Sequence, residues 1–247
     1  MNRNLVHMYR TAEDYRRYTS ASANRQKELT EFFGHYRRYF GRSVLDLGCG
    51  GGVLGSVLES TRRTYVGMDA NPDMIREARR AASERGSAQR FMLGDICQTR
   101  IAGRFDTLTL IGNSLGHLNV AQMDELLQMR KANVRAGTRF LIDYRDMVAM
   151  FWNGTWSRVK VQTHVVGRVV HRTQRVDLEG GRLHMRAKPG SGAWVLEWAH
   201  AIWSPFILDT MMRSHGWRLI SRSPMGKVRA KAIPEHYLDV YRFEGKR

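Results

Sequence analysis

Short apolar runs alternate with amphipathic segments along the first 145 residues of the chain. Residues 44–47 form an apolar run that ends in a glycine cluster, which predicts a buried strand, a tight turn and then a helix. Four more runs predict strands, at residues 64–68, 91–96, 105–111 and 138–143. The intervals between them have helical periodicity, and Asn71-Pro72 is typical of a helix start. This alternation predicts an α/β fold with a mostly parallel, doubly wound sheet.

The region before the first strand predicts two helices between residues 9 and 40. In the second helix, apolar side chains recur at helix-face spacing, so this helix is expected to pack on the sheet; they are Leu29, Phe32, Phe33, Tyr36 and Phe40. The first helix, residues 12–18, carries Tyr15 and Tyr18, and Tyr9 precedes it. These tyrosines are either packing and surface residues or part of a lid over a ligand cleft.

The pattern changes after the fifth predicted strand. Residues 156–203 contain short β-branched and aromatic runs, at 158–172, 174–178, 182–187 and 194–203, with glycine-rich turns at 179–181 and 189–192. Such runs predict antiparallel hairpins, with Trp194, Trp198 and Trp203 as core residues or as a wall of the site.

The remaining sequence predicts the completion of the first sheet. Ser204-Pro205 is typical of a helix start, and residues 217–221 and 236–243 predict two strands that pair antiparallel, which brings the sheet to seven strands. We therefore divide the chain into a helical lid at 1–40, an α/β core at 41–154, an antiparallel β insert at 155–203 and the end of the core sheet at 204–247.

The chain carries a net charge of +17 and has a pI near 10.6. This charge would suit a polyanionic partner. However, the excess is mostly arginine and is spread along the chain in pairs such as Arg37-Arg38 and Arg79-Arg80. A solvated arginine-rich surface and a functional basic face both remain open.

The sequence lacks the patterns of membrane segments, signal peptides and paired cysteines. There is no run of eighteen apolar residues and no apolar signal core at the N-terminus, so we expect a cytoplasmic protein without a membrane partner. Cys49 and Cys97 have no C-x-x-C spacing, so neither a structural disulfide nor a metal site is expected.

The glycine cluster after the first strand is the main candidate for a ligand-binding motif. Gly50, Gly52 and Gly55 spell G-x-G-x-x-G, which requires a dinucleotide site to be considered. Asp46 argues against it, because a carboxylate at the strand end would repel a pyrophosphate but could orient a cationic amino-acid group. The pattern D-x-G-x-G-x-G starting at Asp46 resembles motif I of the class I methyltransferases, which bind S-adenosylmethionine.

Two more acids follow the next two strands, Asp69 and Asp95. Since ligands bind at the carboxyl ends of strands in open α/β sheets, Asp69 could accept the ribose hydroxyls and Asp95 the adenine amino group. With the resemblance, these residues define the predicted S-adenosylmethionine site, which comprises Arg25, Asp46, Gly48, Gly50, Asp69, Ala70, Met74, Asp95, Ile96 and Ile111.

A second resemblance concerns the acceptor. Residues 112–118, with Asn113 and His117, and residues 141–146, with Arg145, are similar to glycine N-methyltransferase and its relatives. Sugar-amine N-methyltransferases also carry a Ser-x-Gly-His-Leu stretch like the one here. The likeness implies that Asn113 contacts the acceptor near the methyl group, that His117 is a base or substrate contact, and that Arg145 grips a carboxylate. Tyr15 completes the predicted catalytic set.

Each of these residues also has a structural explanation. A lone histidine is often structural, and Arg145 could be a surface partner of Asp143 or Asp146. The pair Asn113-Ser114 is also like the N-P-P-Y motif of enzymes that methylate nucleic-acid bases, but the prolines and the aromatic residue are absent.

The sequence therefore predicts an S-adenosylmethionine-dependent N-methyltransferase for a small amine, one that bears a carboxylate. A methyltransferase that binds RNA or protein through a basic face is the less favoured alternative. A nucleoside-binding regulator without catalysis is the third. A homo-oligomer is compatible with the sequence.

Overall fold

The computed structural model of the chain describes residues 23–157, 160–164, 167–189, 196–226 and 232–245. Its helices are α1 Ala23–Tyr36, α2 Val53–Glu59, α3 Pro72–Glu84, α4 Val120–Arg130, α5 Met147–Trp152 and α6 Pro205–Ser214. Its strands are β1 Ser43–Leu47, β2 Thr64–Asp69, β3 Arg90–Leu93, β4 Thr107–Leu110, β5 Arg139–Arg145, β6 Lys160–His164, β7 Gly167–Asp177, β8 Arg182–Pro189, β9 Leu196–Ala201, β10 Trp217–Pro224 and β11 His236–Phe243. Short 3-10 helices cover Arg37–Tyr39, Ser114–His117 and Lys131–Asn133.

Seven strands form one sheet in the order β10-β11-β5-β4-β1-β2-β3. Strands β1 to β5 are parallel, and β11 runs antiparallel between β5 and β10. The α/β class, the seven strands and the antiparallel closure confirm the fold prediction. The strand order also changes direction at β1 and β4, and the ends of such neighbouring strands are where open α/β sheets bind ligands.

Alternating side chains of β1 contact two apolar layers. Val44 packs in the layer with α1, α2 and α3, whereas Leu45 and Leu47 pack in the layer with α4 and α6. All three side chains are 0% exposed, so this strand is buried on both faces. The arrangement fixes the position of the glycine loop that follows.

Local signals explain where several helices begin. Asn71 accepts hydrogen bonds from the backbone of Asp73 and Met74, so it caps α3 as predicted. Ser204 caps α6 in the same way through Ile207. Asp146 caps the six-residue helix α5, which the sequence analysis missed because so short a segment has little periodicity.

The insert forms a four-stranded antiparallel sheet in the order β6-β7-β8-β9. The run 158–172, predicted as one strand, is divided between β6 and β7, and the run 174–178 belongs to β7 beyond a bulge at Thr173. The predicted third strand is also shorter than expected and ends at Leu93. One face of this sheet is buried and includes Val169, Leu183, Ala187 and Trp198.

Some predictions concern parts of the chain that this structure leaves out. Tyr9, Tyr15, Tyr18 and Trp194 lie outside the described residues. The lid and the division into four segments therefore stay predictions. Of the helices described, none combines the length and the apolar character that crossing a membrane requires.

Candidate active site

A cavity of about 1090 Å³ opens at the carboxyl ends of β1, β2, β4 and β5. Small-ligand pockets are typically about 300–1,000 Å³, so there is room for a cofactor and an acceptor together. The structure brings together every predicted site residue that it describes, and all of them line this cavity: Arg25, Asp46, Gly48, Gly50, Asp69, Ala70, Met74, Asp95, Ile96, Ile111, Asn113, His117 and Arg145. Tyr15 alone of the predicted set lies outside the described residues.

The glycine loop has the backbone that its sequence predicts. Gly48, Gly50 and Gly52 have φ values of 77°, 53° and 77°, which side chains with a Cβ rarely adopt. At Gly52 a Cβ would also lie 2.6 Å from Cε1 of Phe91. The loop can therefore present its main chain directly to a ligand.

Asp46 is a buried carboxylate at the base of the cavity, 2% exposed. It accepts hydrogen bonds from the hydroxyls of Tyr65 at 2.6 Å and Thr109 at 2.7 Å. Burial still raises its pKa to about 6, because these bonds and the charge of Arg25 offset only part of the desolvation and the repulsion from Asp69. Its negative charge is thus held in a place where a cationic group would be stabilised.

Asp69 connects the second strand to the glycine loop. Its carboxylate accepts the backbone N–H groups of Gly50 at 2.8 Å and Asn71 at 2.9 Å. Burial raises its pKa, while these backbone hydrogen bonds act in the opposite direction. Each carboxylate oxygen has a further lone pair, so two vicinal hydroxyls could also be accepted.

Asp95 follows β3 in a turn, where its Oδ1 accepts the backbone N–H of Cys97 at 2.8 Å.

Cys49 and Cys97 are both free thiols, and burial raises the pKa of Cys97 to about 12. Both thiols therefore stay protonated at neutral pH. Within the described residues, His, Cys, Asp and Glu side chains form no group of three or more that could hold a metal ion.

The acceptor side of the cavity is built on Asn113. This residue has a φ of 61°, an uncommon value outside glycine, and asparagine is among the residues that tolerate it best. Its backbone N–H donates to Oδ1 of Asp143 at 2.8 Å, and its side-chain oxygen accepts the backbone N–H of Arg145 at 3.2 Å. The loop after β4 is thereby held against the end of β5.

Arg145 differs from the surface residue that the sequence also allowed. Asp143 is engaged with Asn113 and His236, and Asp146 caps α5. Among the residues that the structure describes, no carboxylate forms an ion pair with the Arg145 guanidinium. A planar cation with five donors is thus available at the cavity wall.

His117 ends the 3-10 helix that follows Asn113. Its ring packs edge-on against His200 of the insert, with centroids 4.9 Å apart. Burial lowers the pKa of His117 to about 4, so the ring is neutral at physiological pH and is a weak base. This favours a hydrogen-bonding or packing role over proton abstraction.

Sequence reasoning missed His236, which also lines the cavity. Its Nε2 lies 3.4 Å from Oδ2 of Asp143, although the two residues are 93 positions apart in the chain. The only available signal was its position at the start of the predicted last strand, beside the end of the fifth.

The geometry fits S-adenosylmethionine. Glycines with positive φ line the place where the main chain must be approached closely, three carboxylates line the same edge, and Asp46 is a buried anion near the loop. These are the groups that can accept hydrogen bonds from a nucleoside and an amino group.

Comparisons with known proteins agree with this geometry. Residues 44–137 match the family described as a methyltransferase domain. An uncharacterized methyltransferase of Schizosaccharomyces pombe is 41% identical over 71 residues, which cover 29% of this chain and 26% of the yeast protein. The chain therefore spans about a quarter of the length of that curated relative.

Solved structures extend the likeness to nearly the whole chain. An S-adenosylmethionine-dependent methyltransferase from Clostridium acetobutylicum has a TM-score of 0.74 at 15% identity, covering 95% of this chain and 98% of the other. The glycopeptide N-methyltransferase MtfA, solved with S-adenosylmethionine, has a TM-score of 0.61 at 17% identity, covering 89% and 87%. At these identities the likeness to solved structures shows the fold alone, and the family match shows a methyltransferase domain at residues 44–137. The cofactor of such domains is S-adenosylmethionine, with which MtfA was solved.

Proposed function

We propose that this chain is an S-adenosylmethionine-dependent methyltransferase that methylates the amine of a small molecule bearing a carboxylate. The observation that carries the acceptor class is Arg145, whose guanidinium lines the cavity without an ion-pair partner among the described residues. A guanidinium fork binds a carboxylate through two parallel hydrogen bonds. The glycine and sugar-amine resemblance and the N-methyltransferase MtfA support N-methylation.

On the cofactor side, each residue has a role that its position supports. Asp69 and Asp95 would accept hydrogen bonds from the ribose hydroxyls and the adenine amino group. Gly48 and Gly50 allow close approach of the main chain, while Arg25 and Asp46 offer opposite charges to the carboxylate and ammonium of the methionine part. S-adenosylmethionine supplies a methyl group that is already activated by its positive sulfur.

On the acceptor side, the chain mainly has to position a nucleophile and exclude water. Arg145 would hold the carboxylate, and Asn113, fixed through Asp143 and the Arg145 backbone, would contact the acceptor near the transferred methyl. His117 would contribute a neutral ring to the wall. Methyl transfer needs no catalytic triad, because the positive sulfur already activates the methyl group.

The direct test is methyl transfer from tritiated S-adenosylmethionine to a panel of amino acids and simple amines, with total RNA and total protein assayed in parallel. We expect incorporation into carboxylate-bearing amines and little into their decarboxylated analogues. Incorporation into RNA or protein alone would overturn the proposal, and binding of NAD in place of S-adenosylmethionine would overturn the cofactor as well.

A second candidate, a methyltransferase for RNA or an acidic protein, is favoured by one observation. The outer face of the insert sheet carries five cationic side chains, namely Arg172, Arg175, Arg182, Arg186 and Lys188, against Asp177 and Glu197. Such a face can bind a polyanion. None of these residues lines the cavity, so the first proposal keeps precedence.

A further inference from the structure

His236 lies at the acceptor side of the cavity and has no role in the function proposed above. It is the first residue of β11 and pairs with Arg145 across the antiparallel ladder to β5. Cross-strand partners share one face of a sheet, as do residues two apart on a strand, so His236, Arg145 and Asp143 are on the same face. All three line the cavity.

Asp143 is placed to orient the imidazole. Its Oδ2 lies 3.4 Å from Nε2 of His236, and its Oδ1 accepts the backbone N–H of Asn113 at 2.8 Å. A carboxylate beside one ring nitrogen favours the tautomer with the proton on that nitrogen. The lone pair on Nδ1 then remains, and this atom forms no hydrogen bond within the described part of the chain.

We propose that His236, oriented by Asp143, is the base that accepts the proton of the acceptor amine; this rests on the function proposed above. The proton moves from the substrate ammonium to Nδ1 of His236. The freed nitrogen lone pair then forms the bond to the methyl carbon, while the carbon–sulfur bond breaks and its electron pair stays on sulfur. The histidine afterwards releases its proton to water.

The position of His236 beside Arg145 supports an acceptor that carries its amine and its carboxylate in one small molecule. The Cβ atoms of cross-strand partners are roughly 4.5–5.5 Å apart, so one molecule in the cavity can contact both side chains. Besides Asp143 and Arg145 of β5, the charged or titratable groups that α1 contributes to the cavity are Arg25, Glu28, Glu31 and His35. The β10 end contributes Pro224 and Met225, which do not titrate.

His117 is less suited to this role. It packs against His200, and its lowered pKa makes it a poor proton acceptor at neutral pH.

The test is the pH profile of methyl transfer by His236→Gln, which keeps a hydrogen-bonding side chain but cannot act as a base. The wild type should reach a plateau of kcat/KM near neutral pH. His236→Gln should lose about 100-fold in kcat near pH 7 and should recover about tenfold per pH unit as alkaline solution deprotonates the amine. Asp143→Asn weakens the orientation of His236 but keeps a side-chain oxygen that can accept the N–H of Asn113, so it should lose less and show the same trend.

His215→Gln is the matched control, because His215 forms the same kind of pair with Asp124 at 2.7 Å but lies outside the cavity. Its profile should follow the wild type. Calorimetry with S-adenosylhomocysteine should give wild-type affinity for His236→Gln, and weakened binding would overturn the base role in favour of a structural one.

The two proposals fail in different ways. If the wild type methylates amines and His236→Gln keeps its rate and profile, the base assignment is wrong and the function stands. If the wild type methylates no amine, both are wrong.

Discussion

Asp46 and Asp106 are carboxylates at opposite ends of the same sheet, and their surroundings act on them in opposite directions. Burial raises the pKa of Asp46 from 3.8 to about 6. Burial would also raise that of Asp106, but hydrogen bonds from Arg135 and from the Ser43 and Arg42 backbone outweigh it, so its pKa is lowered. The two carboxylates should therefore change the pH dependence of stability in opposite directions, which an unfolding experiment can measure.

The first prediction concerns stability against pH. With Asp46 titrating at 3.8 unfolded and at about 6 folded, the folded protein binds the proton more tightly, so stability falls as the pH rises through that window. A shift of this size corresponds to about 3 kcal/mol, at about 1.36 kcal/mol per unit. Asp46→Asn should remove this decline, as measured by urea unfolding across the window.

The control is Asp106→Asn, for which the sign reverses. A lowered folded pKa gives stability that is present above the unfolded value and is lost as the pH falls through the folded one. Parallel profiles for wild type and Asp46→Asn would contradict the raised pKa of Asp46.

The second prediction concerns the proposed carboxylate contact. Arg145→Lys keeps the charge but loses the planar fork, so KM for a carboxylate-bearing amine should rise about tenfold, the value of roughly one charged hydrogen bond. Affinity for S-adenosylhomocysteine, measured by calorimetry, should stay close to that of the wild type.

Arg139→Lys is the matched control, since Arg139 starts the same strand at its far end. The proposed contact would be wrong if both substitutions changed KM equally, or if Arg145→Lys left KM unchanged for every carboxylate substrate.

At the scale of elements, a buried charged network connects β5, β10, β11 and α6. Arg222 donates to both oxygens of Asp239, at 2.8 and 2.7 Å, and to Asp209 at 2.9 Å. The hydroxyls of Tyr144 and Tyr241 donate to Asp239, which is 0% exposed. The network fixes the antiparallel strand that carries His236.

The third prediction follows from this network. Asp239→Leu should destabilise the fold by about 3–5 kcal/mol, because Arg222 loses two of its three hydrogen bonds to carboxylates and the buried Tyr144 hydroxyl loses its acceptor. Thermal or urea unfolding measures the loss. Arg218→Ala is the control, because Arg218 lies on β10 like Arg222 but forms only an exposed ion pair with Glu244, so its loss should change stability little. A loss of stability equal to that of Asp239→Leu would contradict the argument.

The same elements explain what the sequence could predict. Asn71-Pro72 and Ser204-Pro205 carry their own capping chemistry, so local sequence was enough to locate both helix starts. Asp46, Asp69 and Asp95 could be assigned to one edge because parallel strands share it. The contact of His236 with Asp143 depends instead on the register of β11 against β5, which no local pattern specifies.

For the whole molecule, the charge of +17 is the property on which the two candidate functions differ. Across the outer face of the insert sheet, Arg172 pairs with Arg186, and both are exposed. Like charges directly opposite one another disfavour strand pairing, and the ion pair of Arg186 with Glu197 at 3.6 Å offsets part of this cost.

The fourth prediction separates the two candidate functions through this face. Replacing Arg172, Arg175 and Arg186 with serine should change kcat/KM for a small amine by less than about twofold, because none of these side chains lines the cavity. If RNA were the substrate, its binding should weaken and its salt dependence should become shallower. A large loss of small-amine activity in a folded variant would contradict the separation.

The insert and the α/β core meet at Gly116, where a Cβ would lie 3.2 Å from Cγ of His200. Strand β9 therefore packs on the same 3-10 helix that ends in His117, and its His200 contacts that histidine. A chimaera with the insert of a related enzyme would consequently change what packs against His117. The junction that a chimaera must preserve is a glycine facing a histidine.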